Sequence, residues 1–369
     1  MARLRKGLAM TGQSSSALSV HMTGSEWFRT LPSGLSRYFS NLFAALREHS
    51  DTRVCASAFG EPDPGGTAWA CAGASLPRRV RASRDRLPRH IDILDRHFAL
   101  YGPPAPSGAA LITHFHGPWA MESAAAGQGA AAVAVKRLIE IARYRRSTRF
   151  VVLSQCFGDL LSARYGVVPA RVSVIPPGVD LRAFVATPIL DGPPRVLCVR
   201  RLERRMGIDI LLDAWPLVRA AVPQARLDIA GTGSVAGELA DQISALGVES
   251  SVTLLGPKSE TELAAAYRDA TVTVVPTRSL EGFGLIALES LASGRAPIVT
   301  DVGGLPDSVR GLAPDLIVRK EDPAALAERL IGALQGDRPS VDQCRAHAES
   351  FSWSLAAERH LALYREALS

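Results

Sequence analysis

Short apolar runs alternate with longer amphipathic stretches along almost the whole chain. In the first half the runs at 17–22, 52–59, 110–114, 150–154 and 171–175 are rich in β-branched and other apolar residues and predict buried strands. The second half repeats the pattern at 195–199, 226–230, 252–255, 271–275 and 296–300. Between them the apolar positions fall at helical spacing, as in Leu35, Tyr38, Phe39, Leu42, Phe43 and Leu46. Further helices are predicted over 136–149, 159–165, 260–268 and 285–292, and an amphipathic one starts at Trp353. Residues 60–75, rich in Gly, Pro and Ala, read as loop. Strands alternating with helices predict an α/β protein with doubly wound parallel sheets. The alternation restarts after the Pro176-Pro177-Gly178 break, so two such domains are expected. Their spans are 1–186 and 187–350, with a last helical segment at 351–369.

One stretch, VVPTRSLEGFGLIALESLASGRAPIVTDVGGLPD at 274–307, carries the densest chemistry. Pro276 ends a strand, a loop runs from 277 to 284, and a helix follows that Gly294 stops in the left-handed C′ position. Gly282 and Gly284 let backbone N–H groups approach a ligand closely. The helix start behind them suits a phosphate. Glu281 and Glu289 stand eight residues apart, one in the loop and one on the helix. Alone, such a pair would only cap and solvate a helix. Beside a phosphate cradle, it suits hydroxyls of a sugar and a ribose as hydrogen-bond donors.

Other candidates are weaker. Ser33-Gly34 precedes the helix after the first strand and either caps it or offers a second backbone approach. His114 and His116 share one side of an extended segment. A metal would need further ligands, and the sequence points to none nearby, so no metal site is expected. His116, at the end of a strand and beside Gly117, stands where parallel sheets bind ligands, whereas His114 reads as structural.

The totals change the picture in three ways. No apolar run reaches the ~18 residues of a membrane helix, and the first sixteen residues are too short in apolar content for a signal peptide and read as a floppy lead-in. Five scattered cysteines (55, 71, 156, 198 and 344) without a C-x2-C pair argue for a reducing cytoplasm. Charge is uneven: residues 1–190 carry 23 Lys/Arg against 12 Asp/Glu, while the rest carries 19 against 24. The basic residues bunch at Arg78, Arg79, Arg81, Arg84, Arg86, Arg89 and Arg96 and again at 136–149. They form either a solvated face or a seat for an anionic membrane surface or phosphorylated acceptor. No aromatic platform accompanies them, which argues against nucleic acid. A dinucleotide-dependent oxidoreductase would need G-x-G-x-x-G, and the GTGS at 231–234 lacks the third glycine.

With these residues in order, the chain resembles the retaining glycosyltransferases of family 4, which have the GT-B fold. The resemblance spans about residues 19–368 and is carried by LEGFGLIALES around Glu281 and Glu289 (the family's E-x7-E motif), VRRLERRMG at 199–207 and IAGTGS at 229–234, together with IPPGVD at 175–180, HFHGPWA at 114–120 and FSW at 351–353. It implies two Rossmann-like domains facing each other across a cleft, an acceptor domain first and a nucleotide-sugar domain second, with the last helix crossing back. It implies a donor that is a nucleotide diphosphate sugar, no other cofactor, and an acceptor that is a glycan, a lipid-linked sugar or a small molecule; metal-independent transfer is expected because no D-x-D stands in the sequence. By the same resemblance Glu281 and His116 would act at the sugar and Glu289 would take the ribose. Gly282, Phe283, Gly284 and Leu285 would hold the distal phosphate through their amides, Arg201 would hold the diphosphate, and Gly34 and Gly231 would line the site. The family block G-R-L-x-x-x-K-G is altered here: Arg200 replaces its first glycine and Met206 its lysine, leaving Arg200 or Arg205 to supply the missing charge. The alternative is a degenerate relative that binds a nucleotide sugar without transferring it. Glu281→Ala is expected to abolish transfer with the fold intact.

Overall fold

The computed structural model describes residues 17–70, 73–84, 87–88 and 90–369. The predicted lead-in at 1–16, together with Cys71, Arg86 and Arg89, lies outside the described residues. Two parallel sheets organise the chain. The first uses β1 (Leu18–Glu26), β2 (Thr52–Phe59), β3 (Gly66–Ala68), β4 (Ile93–Arg96), β5 (Ala110–Phe115), β6 (Arg149–Val152) and β7 (Val172–Val174) in the order β3-β2-β1-β4-β5-β6-β7. The second uses β8 (Arg195–Val199), β9 (Arg226–Ala230), β10 (Val252–Gly256), β11 (Val272–Val275), β12 (Pro297–Thr300) and β13 (Ile317–Val318) in the order β10-β9-β8-β11-β12-β13. Every strand pair is parallel, as in Val20 with Ile93 and Val272 with Val196.

Each sheet reverses its strand order once, between β1 and β4 and between β8 and β11. Loops leaving neighbouring strands at such a switch point diverge to opposite faces and open a crevice at the strands' C-terminal ends. The two crevices face one another, and a cleft of about 450 Å³ lies between the domains.

Three elements in the first domain depart from the sequence reading. Within 60–75, Gly66–Ala68 pairs with Ala56–Ala58 as a short edge strand. The basic stretch 76–98 hides a helix (Leu76–Ala82) and β4, whose four residues ILDR are all buried, Asp95 and Arg96 included. β4 pairs with both β1 and β5, so a central strand runs through what read as a charged segment.

The last helix, Trp353–Leu368, packs on the first domain. Its Tyr364 hydroxyl donates to Asp95 Oδ2 at 2.6 Å, and the Tyr38 hydroxyl lies 3.3 Å from His360 Nε2. Glu366 pairs with Arg149 at 2.8 Å, and Arg365 pairs with Asp51. Phe351, just before it, packs at a tilt against Phe283 of the second domain (centroids 5.5 Å apart). The chain therefore links its two domains twice, once through the segment after β7 and once through this helix.

Candidate active site

Loops after β1, β4 and β5 of the first sheet and after β8 and β11 of the second build the cleft. From the second domain, Arg200 and Arg201 follow β8 and Glu281 follows β11. From the first, Gly34 opens the helix after β1, His97 follows β4, and His116 follows β5.

The loop after β11 is held in an unusual backbone shape. Leu280 has φ of 57°, a left-handed conformation uncommon for a residue with a side chain. Arg205 Nη1 donates to the Leu280 carbonyl at 3.1 Å and fixes it. Gly284, at φ 91°, turns the chain into the helix Leu285–Ala292 and packs where a Cβ would strike Leu305. Between them sits Glu281, its carboxylate accepting from Arg200 Nη2 at 2.5 Å, while the same guanidinium reaches Thr277. Arg200 is 6 % exposed. Its charge is engaged by Glu281, which leaves Arg201, exposed in the cleft, and Arg205 to meet an anion. Arg205 also approaches Glu122 of the first domain at 3.9 Å. Burial pushes the Glu122 carboxyl up, against the pull of Arg205 and Arg201. Met206 lines the cleft but is only 4 % exposed.

The remaining sequence candidates fall into three groups. Gly34, Gly282, Gly284 and Leu285 line the cleft, and a Cβ on Gly34 would meet no atom within 4 Å, although Ser33 also caps the helix by accepting from the Ser36 amide. Phe283 lines it as well, but its ring is buried against Phe351, so only its backbone can serve a ligand. Gly231 and Glu289 are not among the residues lining the cleft. Gly231 packs where a Cβ would strike the Arg200 carbonyl, a packing requirement for the turn after β9. Glu289 faces a narrow crevice of about 10 Å³ on the other side of Leu285. Tyr267 donates to Glu289 at 3.1 Å, and Arg37 Nε of the first domain lies 3.6 Å away while its Nη1 donates to Glu260 at 2.7 Å. Burial pushes the Glu289 carboxyl up and Arg37 and Tyr267 oppose this. A ribose reaching Glu289 has to displace Arg37.

Sequence reasoning missed Arg37 and the group behind His116. His97, from β4, supplies the third imidazole that His114 and His116 lacked, with one nitrogen of each of the three within 4.8 Å. Their rings are stacked with interplanar angles of 20–23° and centroids as close as 3.8 Å. The three nitrogens have the spacing of a metal site, yet two of them, on His97 and His116, are turned on each other. His97 Nε2 lies 3.2 Å from Asp95 Oδ2, and its Nδ1 lies 3.2 Å from His116 Nε2. His114 Nε2 comes within 2.9 Å of Asp95 Oδ1 without the alignment of a hydrogen bond. Burial alone would raise the Asp95 carboxyl, but the His114 and His97 imidazoles hold it well below the usual range. Burial pushes His114 and His360 down to about 4 and also lowers His116, which favours the neutral form of these three rings.

Two family profiles together cover residues 32–351. "Glycosyltransferase Family 4" matches residues 32–183 and "Glycosyl transferases group 1" matches residues 182–351. The D-inositol 3-phosphate glycosyltransferase 1 of Catenulispora acidiphila is 33% identical over 325 residues, 80% of this chain and 77% of the relative. The chain is a family 4 glycosyltransferase. A second relative of this transferase, the D-inositol 3-phosphate glycosyltransferase of Nocardia farcinica, is 31% identical over 78% of this chain and 69% of its own length. Among solved structures, the fold matches sucrose-phosphate synthase from Thermosynechococcus elongatus (TM-score 0.76, 20% identity, 95% of this chain and 98% of that one). It also matches Anabaena HepE in complex with UDP and glucose (TM-score 0.74, 14% identity, 95% and 100%). The transferase therefore has the GT-B fold.

The arrangement orders the arginines. Arg201→Ala is expected to weaken binding of a nucleoside diphosphate by about 1.5–3 kcal/mol, the range for a hydrogen bond to a charged group, and more than Arg205→Ala. Met206→Lys is expected to leave affinity equal or improved. Titration calorimetry with UDP checks both, and a reversed arginine order or loss of binding in the lysine variant overturns the assignment.

Proposed function

We propose that this transferase moves a hexose from a nucleotide diphosphate sugar to a hydroxyl of a sugar acceptor, with retention at the anomeric carbon and without a metal. The observation that carries the reading is the placement of Arg201, Arg205 and Glu281 at the switch point of the second sheet, across the cleft from His116 at the end of β5. When the sugar C1–oxygen bond to the β-phosphate breaks, negative charge builds on the diphosphate. Two guanidinium groups and the helix start behind Gly284 can stabilise it in a cleft of low dielectric. The acceptor hydroxyl forms the new bond to C1 on the same face, and its proton leaves with the phosphate oxygen. The resemblance to the retaining transferases of family 4 supports retention. HepE, with its UDP, makes UDP-sugars the first donors to try.

The acceptor side has a different chemistry. The first domain lines the cleft with Phe98, Trp119, Tyr144 and Glu122, and among the described residues it contributes no lysine or arginine there. Aromatic rings and a carboxylate suit an uncharged polyhydroxyl ring better than the phosphorylated inositol named in the relatives. The helix Ala130–Tyr144 turns an apolar stripe to solvent, with Val135 and Leu138 56% and 66% exposed, and Arg137, Arg145 and Arg146 flank it. A lipid-linked acceptor at the inner face of a membrane fits this surface, each basic residue contributing about 1 kcal/mol near anionic lipid.

The test of donor binding is a thermal-shift panel of nucleotide sugars. A specific donor at 100 times its Kd should stabilise the protein by about 2.7 kcal/mol; no shift with any donor sinks the reading. The anomeric proton coupling of the product, matched to that of the donor, decides retention. Binding without turnover would instead mark the degenerate relative, which Met206 at the lysine position favours. In co-sedimentation with anionic vesicles, the protein is expected to pellet at low salt and less so at physiological salt. Protein left in the supernatant at low salt removes the membrane.

A further inference from the structure

We propose that Asp95 and His97 are positioning residues for His116, and that together they decide which of its ring nitrogens carries the proton. The inference builds on His116 as the group that meets the donor sugar. Asp95 is fully buried, and as a carboxylate it can only accept hydrogen bonds. Tyr364 of the last helix donates to its Oδ2 at 2.6 Å, and His97 Nε2 stands 3.2 Å from the same oxygen. His97 must therefore carry its hydrogen on Nε2. In the neutral His97 that the proposal assigns, the other nitrogen, Nδ1, is a lone pair, and it faces His116 Nε2 at 3.2 Å. To fill that lone pair, His116 must donate from Nε2. A neutral His116 is left with a bare Nδ1, so it meets the substrate as a hydrogen-bond acceptor, the partner that a sugar hydroxyl needs.

Packing keeps the rings from turning out of this chain. Tyr38 sets its edge against His116 with centroids 4.7 Å apart, and His97 is sandwiched against His114 at 3.8 Å. His114 in turn stacks on His360 of the last helix, 5.3 Å away and within 4° of parallel. Orientation is thus fixed by stacking and polarity by the hydrogen-bond chain that begins at Tyr364 and Asp95. In hydrolases that use an aspartate to orient a histidine, the same logic operates: the aspartate acts by selecting the tautomer.

The test reads the tautomer directly. In wild-type protein labelled with 15N-histidine, long-range proton–nitrogen spectra should show His116 protonated at Nε2 with a bare Nδ1, the signals being identified by their loss in His116→Gln. In Asp95→Asn the amide can donate to His97 Nε2, which moves the His97 proton to Nδ1. The His116 proton should then move to Nδ1 as well. With a UDP-sugar donor, Asp95→Asn should lower kcat about tenfold or more while changing the donor KM little. In the His116→Gln background the same substitution should cost nothing further. A wild-type His116 protonated at Nδ1 or at both nitrogens overturns the proposal, even if Asp95→Asn fails to fold. So do losses that multiply in the double variant. The expected spectra together with full transfer activity in His116→Gln would leave the relay standing and remove His116 from the proposed chemistry.

Discussion

Glu281→Gln is expected to slow sugar transfer about 10- to 100-fold while leaving the melting temperature close to that of the parent. Glutamine keeps the shape of the side chain and an oxygen that can accept from Arg200 Nη2, the contact made now at 2.5 Å. It loses the negative charge that strengthens hydrogen bonds from a sugar's hydroxyls; such bonds contribute about 1.5–3 kcal/mol against about 0.5–1.5 for neutral ones, so two of them together lose about 2–3 kcal/mol, each 1.36 kcal/mol being tenfold in rate. Alanine is a different experiment. It removes the partner of a guanidinium whose side chain is 5% exposed, and breaking one half of a buried pair costs about 3–5 kcal/mol. The sequence-based expectation that Glu281→Ala leaves the fold intact is therefore replaced: the alanine variant should lose activity and also melt earlier. Steady-state rates and melting curves on both variants separate the two effects, and full turnover in the glutamine variant would remove Glu281 from the chemistry.

Arg295→Leu is expected to destabilise the second domain by about 4 kcal/mol, and breaking a buried hydrogen-bond network is among the few mechanisms that reach this size. Arg295 is fully buried and has no carboxylate partner among the described residues. Its guanidinium donates instead to carbonyl oxygens: Ala270 at 2.7 Å, Thr187 at 2.6 Å, Arg268 at 2.5 Å and Ser293 at 3.0 Å. It thereby ties the interdomain segment at Thr187 to the ends of two helices. A leucine fills the space but leaves those acceptors without donors, at about 1–3 kcal/mol for each one that stays buried. Lysine cannot reproduce the planar fork. Urea unfolding followed by tryptophan fluorescence measures the loss, and a change below about 1 kcal/mol would mean that water reaches the site.

Much of the second domain was legible in the sequence. The strands at 195–199 and 226–230 and the helix at 285–292 have the predicted bounds, because their apolar runs are bounded by glycine, proline or polar residues. The Glu281 loop was legible for the same reason, since Gly282 and Gly284 stand out against the apolar strand before them. β4 was not. Its charged residues, Asp95 and Arg96, argue locally for solvent, and what makes their burial tolerable lies elsewhere: Tyr364 for Asp95, and the Pro103 carbonyl, 2.6 Å from Nη2, for Arg96. Arg37 escaped notice because its partners, Glu260 and Glu289, are in the other domain. Arg295, at the start of a strand, looks like a surface arginine until the carbonyls around it are seen.

The return of the last helix sets an order of events during synthesis. The first sheet is complete once Val174 has been made, yet Asp95 at its centre lacks the Tyr364 hydroxyl until the ribosome has added nearly two hundred residues more. At about 5–20 residues per second that delay is roughly 10–40 s. Through this interval the nascent first domain holds a carboxylate whose burial is only partly compensated and the uncovered Tyr38 face on which His360 will pack. The domain that emerges first is thus the one that matures last, and a nascent chain arrested before the final helix should present it to chaperones and proteases in a loosened state.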